Sequence, residues 1–301
     1  MRTTRNHGYI ESVAREQAEK SGIVLWILIA IYAAARVLQI SPGRVPMLAV
    51  VSLHVFPPAV FALIHGAKLY QWRGSVMFVA LCMVVGNIFE NLSILTGFPF
   101  GHYYFTDVMG PKLFHVPILL GLAYVGMGYL SWTLGCVILE SQQVPVRWRV
   151  VTLPLIASFI MVAWDLSMEP VWANILHSWM WLRGGVYFGV PISNFLGWYL
   201  TVYVIYQLFA FYLRRHPTNP NPLLSGYWHS AVVFYGISAV GNILLAIPRA
   251  EQSVVSDNTG AQWKVSDITG TCALVTIFTM GAFAVVAWVR LMDTQDQSHA
   301  K

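Results

Sequence analysis

Residues 89–117, FENLSILTGFPFGHYYFTDVMGPKLFHVP, read as the end of one membrane helix, a loop and the start of the next. A carboxylate, Glu90, with Asn91 beside it, closes an otherwise apolar run. A loop of Gly, Pro and aromatic residues follows, and a second apolar run begins at Pro117. A related arrangement returns at 163–191, AWDLSMEPVWANILHSWMWLRGGVYFGVP, with Asp165 at the matching point. Outward from these two stretches, apolar runs of bilayer-crossing length recur near 22–40, 46–67, 74–95, 114–139, 150–166, 191–213, 227–247 and 268–289. The pattern predicts an all-α, polytopic transmembrane bundle of about eight helices, with re-entrant or lid loops on the outer side.

Composition agrees. Of 301 residues, 57% are apolar and only 10% charged, where soluble domains carry about 25% charge. A water-soluble fold with so little charge would expose large apolar patches. In such a chain the net charge of +5 reports topology and gives no reason to expect nucleic acid. Cys82, Cys136 and Cys272 all lie inside apolar runs without C-x-x-C spacing, as small packing residues do.

With an even number of crossings, Lys and Arg sort unequally. Only Arg44, Lys112, Arg183, Arg249 and Lys264 fall on the side of the two motif loops. Arg36 lies within the first run, and the remaining basic residues fall on the other side. The positive-inside rule then puts both termini in the cytoplasm and the motif loops, about 96–113 and 167–190, outside an inner, cell membrane. The expected organisation is a polar N-terminal segment (1–21), one helical domain (22–291) and a polar tail (292–301). The two motif stretches also form a faint repeat. Glu90-Asn-Leu-Ser aligns with Asp165-Leu-Ser, and Phe114-His-Val-Pro-Ile aligns with Phe188-Gly-Val-Pro-Ile.

A carboxylate within a membrane helix is costly and by default functional. Glu90 has Asn87 and Asn91 as helical neighbours. Asp165 stands at a similar depth, with Glu169 one turn on. The bland alternative for each is an interhelical clasp or a solvated interfacial group. Asn194 and Asn242 fall near the same ends of their helices. Together with Asp107 these residues predict a polar cup suited to acid/base chemistry, since neighbouring carboxylates in an apolar site titrate apart. The Trp and Tyr of the loops suit an aromatic belt or a shaped lid. The histidines show no H-x-x-H or H-x-x-x-H spacing, so no metal centre is expected; His102, His115 and His177 would be the ligands of one. No nucleophile elbow, Walker loop or dinucleotide fingerprint occurs.

TGFPFGHYYFTDVMGPKLFHVP (96–117), Trp164-Asp165 with Glu169-Pro170, Trp179–Trp181 and YFGVPISNFLGW (187–198) together resemble the carotenoid-biosynthesis membrane proteins, a family that includes carotenoid 1,2-hydratases. The likeness is densest over about 85–200. Glu169 departs from it by standing where the pattern has Asp before Pro, and Phe105 by standing where it has Tyr. The resemblance implies addition of water to the terminal double bond of an acyclic or monocyclic carotenoid, without a cofactor. Glu90 is then expected as acid and Asp165 as base. Tyr103, Tyr104, Trp164, Tyr187 and Trp198 would position substrate or stabilise a cation. Membrane lipid is the other expected partner, and the oligomeric state is open. Another isoprenoid- or lipid-modifying enzyme, or a lipid or pigment carrier, are the competing readings.

Overall fold

The computed structural model describes residues 22–40, 45–140, 146–216, 225–247 and 253–299. The N-terminal segment 1–21, Arg44 and Arg249 lie outside them. Helix α1 spans Gly22–Leu38. It is followed by α2 (Met47–Thr96), α3 (Ile118–Glu140), α4 (Val146–Pro170), α5 (Ile192–Arg215), α6 (Ser225–Leu244), α7 (Val265–Thr276) and α8 (Ala282–His299). Five helical segments are long and apolar enough to cross a membrane. The molecule is an all-α bundle of the membrane-spanning type.

The 50-residue α2 would be about 75 Å long if straight, more than twice a bilayer core. It is not straight. Gln71 has φ 58° and ψ 173°, which breaks the helix into two arms. A Cβ on Gly66 would sit 2.9 Å from Ser75 Oγ, so the chain doubles back on itself there. The two apolar runs expected at 46–67 and 74–95 are thus both present, joined by a single-residue reversal. Pro57 and Pro58 lie within the first arm without ending it. That arm packs directly on α3: a Cβ on Gly126 would meet Pro58 Cβ at 2.7 Å and the Ala59 nitrogen at 2.9 Å. Only glycine permits that approach.

Helix α3 is apolar all round and the most enclosed, with 83% of its spanning window buried. α7 and α8, joined through a π turn (Ile277–Gly281), lie at the periphery with 28% of their window buried. Exposed Ile88, Leu95, Phe159, Leu196, Phe278 and Val285 line the outside of the helices, where lipid would be their solvent.

Helix α4 departs from expectation. Its apolar run was expected to stop near 166, but the helix continues to Pro170 and through a π turn over Val171–Ile175. Asp165 and Glu169 therefore belong to the helix, one turn apart on one face, and the second loop begins only after them. A carboxylate ends a hydropathy run, but it does not end a helix whose backbone bonds continue and whose side chains find donors.

At one end of the bundle the two motif loops pair. Strand β1 (Tyr103–Phe105) runs antiparallel to β4 (Trp179–Trp181), with Tyr103 opposite Trp181 and Phe105 opposite Trp179. A short ladder, β2 (Lys112–Leu113) with β3 (Val116–Pro117), closes the first loop. A hairpin of β5 (Val254–Ser256) and β6 (Gln262–Lys264) covers the second, where Phe188 meets Trp263. The lid is built from strands across the bundle end. The repeat has a backbone counterpart: Phe114 (φ 58°) and Phe188 (φ 51°) both adopt the left-handed conformation, uncommon for such residues, and each lies just before a helix-starting Val-Pro-Ile.

Candidate active site under the paired loops

Alternation along β1 and β4 turns Tyr103, Phe105, Trp179 and Trp181 inward over the helix ends and leaves Tyr104 exposed. Each inward polar tip then reaches a carboxylate. Glu90, 3% exposed, accepts from two phenols: Tyr103 Oη–H donates to Oε2, and Tyr124 Oη–H, from α3, to Oε1 at 2.6 Å. Glu169 accepts from two indoles on one oxygen. Trp179 Nε1–H and Trp181 Nε1–H donate to Oε1 at 2.6 and 2.8 Å. The W-x-W spacing exists because two residues on a strand point the same way. Burial, then the neighbouring Glu90, holds the Tyr103 hydroxyl well above the usual tyrosine value, so it remains a donor.

Glu90 and Glu169 line one cavity with Asn194, walled by Phe100, Tyr103, Phe105, Leu120, Trp179, Trp181 and Trp198. Its volume is about 20 Å³, room for one water molecule. Asp165, fully buried, stands behind this cavity. Asn194 Nδ2 donates to its Oδ2 at 3.0 Å, and Oδ1 has no partner among the described residues. The site thus holds three buried carboxylates, and the pair that shares a cavity is Glu90 with Glu169. Asp165 reaches it through Asn194.

The other expected residues divide. Trp198 stacks on Tyr124 at 4.4 Å between ring centroids and meets Trp164 edge-on at 6.1 Å, so both tryptophans buttress the aromatic wall. Asn87 and Asn91 bond to each other, and Asn91 Oδ1 accepts the His115 backbone N–H at 3.1 Å. They pin the first loop and do not line the cavity. Tyr187 donates to Leu166 O at 3.1 Å, tying the second loop to α4. Burial, with Cys272 beside it, raises its hydroxyl above the ordinary value. Asp107 leaves the expected cup altogether. It is exposed and pairs with Lys112 at 3.0 Å, because the short helical turn Asp107–Met109 points Met109 inward and leaves Asp107 at the surface. Asn242 also lies outside the cup, taken by Arg36 of α1. Among the described residues no group of three His, Cys, Asp or Glu is arranged to hold a metal ion.

Sequence reasoning missed Tyr124, an unremarked Tyr in an apolar run, and the indole donors of Trp179 and Trp181. It placed Arg36 inside the first run but gave it no role, although a lone cation inside an apolar helix was signal enough.

No curated protein and no solved structure matches the chain. A family model described as "Carotenoid biosynthesis protein" matches residues 44–254, a stretch that takes in both motif loops, all three carboxylates and Asn194.

Proposed function

Because the chain belongs to the carotenoid biosynthesis protein family and has a role in that biosynthesis, we propose that it is a hydro-lyase adding water to the terminal double bond of an acyclic or monocyclic carotenoid. The observation that carries this reading is the meeting of Glu90 and Glu169 at one aromatic-walled cavity with room for a single water.

The chemistry needs a proton, a stabilised cation and a held water. In the proposed reaction Glu90, in its neutral form, gives its proton to the less substituted alkene carbon, and the hydroxyls of Tyr103 and Tyr124, which point at its two oxygens, stabilise the carboxylate left behind. The π pair becomes the new C–H bond and the other carbon becomes a tertiary cation. The rings of Phe100, Phe105, Trp179 and Trp198 face the cavity and stabilise that charge without reacting. Water held between Asn194 and Glu169 Oε2 forms the C–O bond, and Glu169 takes its proton; that proton returns to Glu90 before the next turnover. Glu169 Oε1 is committed to two indoles, which leaves Oε2 for the water. Asp165 fixes the Asn194 amide and so acts as a positioning residue. A polyene would lie along the helices in the bilayer with its terminal double bond at the mouth of the cavity, which holds the water. We further propose an inner-membrane location with the paired loops on the outer face and both termini cytoplasmic.

The test is expression in a host that makes lycopene or γ-carotene, with pigments analysed by mass. The expected product carries one added water. General acid and base groups contribute about 10²- to 10⁴-fold, so Glu90→Gln and Glu169→Gln should each reduce the product by at least about 100-fold. An unchanged pigment profile with folded wild-type protein would overturn the reading for those substrates.

A further inference from the structure

Beside the carboxylate cavity, and sharing only Leu120 and Trp179 with it, lies a second chamber of about 40 Å³. Its walls are otherwise apolar, from α3, α4 and the π turn: Met127, Trp164, Met168 and Trp172 among them. Three polar side chains enter it from α1 and the first arm of α2, namely Tyr32, Arg36 and His54.

Arg36 is the unusual member. It is 4% exposed inside an apolar helix. Its Nη2 donates to Ser238 O at 3.1 Å and to Asn242 Oδ1, both neutral acceptors. Nε has no partner among the described residues, and both hydrogen bonds the guanidinium makes to them come from Nη2. The Tyr32 ring lies 5.9 Å from the guanidinium carbon. His54 is already engaged, by Val50 O at 2.7 Å and Gln39 Oε1 at 2.9 Å. The ion pair found among the described residues, Lys112 with Asp107, lies elsewhere. A buried cation with no counter-charge is strongly unfavourable, and within a membrane such a residue marks a polar ligand or pathway.

We propose that this chamber binds the carboxylate head of an amphiphile with an alkyl chain, with Arg36 as its counter-charge. The size of the chamber admits a head group of that kind and not a whole lipid, so the chain must leave between helices toward the membrane. Nη2 is taken by Ser238 and Asn242 and Nε packs on Gly241, so Nη1 is the donor left to meet a carboxylate oxygen. The chamber is not the hydration cavity, and its occupancy is tested without any turnover.

Trp164, Trp172 and Trp179 line the chamber and report on it. The wild-type protein in phosphatidylcholine nanodiscs is titrated with a dibrominated fatty acid, at a pH where the acid is ionised, and with the matching dibrominated alcohol. The expected result is a saturable quenching component for the acid, weaker by about 30-fold or more for the alcohol and in Arg36→Gln, the scale for removing one side of a buried charge pair. Arg36→Lys restores part of it, Trp172→Phe diminishes the quenching amplitude, and Glu90→Gln leaves it unchanged. A dibrominated phosphatidic acid that quenches where the fatty acid does not overturns the carboxylate assignment. Equal quenching by acid and alcohol in wild-type protein overturns the proposal, whether or not Arg36→Gln folds.

Discussion

At the residue scale, the site is an arrangement of donors around buried acids. Glu90 has two phenols and Glu169 two indoles, whereas Asp165 has one amide. Removing Asn194, the one donor to Asp165 among the described residues, leaves a buried carboxyl without it, at a cost of about 1–3 kcal/mol or more. Asn194→Ala is therefore expected to lower the thermal midpoint in detergent as well as the rate of the proposed hydration. If Asp165 acts through Asn194, Asp165→Asn and Asn194→Ala should not be additive in rate, and the double variant should lose little beyond the worse single one. Full additivity would separate the two residues. Glu90 and Asp165 were legible as candidates because carboxylates stand out in apolar runs. Glu169 was legible only as the neighbour of Asp165, and nothing in the sequence assigned it Trp179 and Trp181. That pairing depends on which face of a strand points down, and a loop of aromatics does not announce a strand.

At the scale of elements, glycines separate contact from open space. Gly126→Leu drives a side chain into Pro58 and Ala59, and overpacking of this kind destabilises by about 1–3 kcal/mol or more. Gly236, in α6, has nothing within 4 Å of its missing Cβ. Gly236→Ala should be neutral or stabilising by up to about 1 kcal/mol. Thermal melts of the two variants side by side check both; equal destabilisation would contradict the packing of α2 on α3. The β5–β6 hairpin depends on Asp257, which accepts from Thr259 N, Thr259 Oγ1, Ala261 N and Trp263 Nε1. Partial burial raises its pKa, but the hydrogen bonds outweigh this and hold it below the ordinary 3.8. A depressed carboxylate stabilises above its unfolded value and loses that contribution as pH falls through its folded one. Amide-exchange protection of 253–264 should thus be retained down to about pH 4 and fall below it, and Asp257→Asn should remove the dependence. Protection in the wild type that is flat to pH 2 would contradict it.

At the scale of the whole molecule, the bundle and its paired lid set what faces which side. The orientation proposed from Lys and Arg has a direct check at the exposed residues Tyr104 (46%) and Val186 (80%). Cysteine at either position should react with a membrane-impermeant maleimide from outside intact cells. Labelling only after the cytoplasmic side is opened would reverse the assigned orientation.

The sequence by itself determined the class of fold, the order of the apolar runs and the two ends that carry the polar residues. Each of these follows from a one-dimensional quantity: hydropathy over a bilayer's length, or a carboxylate where none is tolerated without purpose. Even the repeat was visible, as Phe-x-Val-Pro-Ile before two helices. Tertiary structure decided what meets what. It ran α4 past Asp165 so that Glu169 joined Glu90, moved Asp107 out to solvent, gave Asn242 to Arg36, and paired two distant strands so that Tyr103, Trp179 and Trp181 descend on the acids. The reason is geometric. A donor and its carboxylate come together when helix phase, strand register and loop pairing agree at one place, and none of the three is a property of either residue's own neighbourhood in the chain.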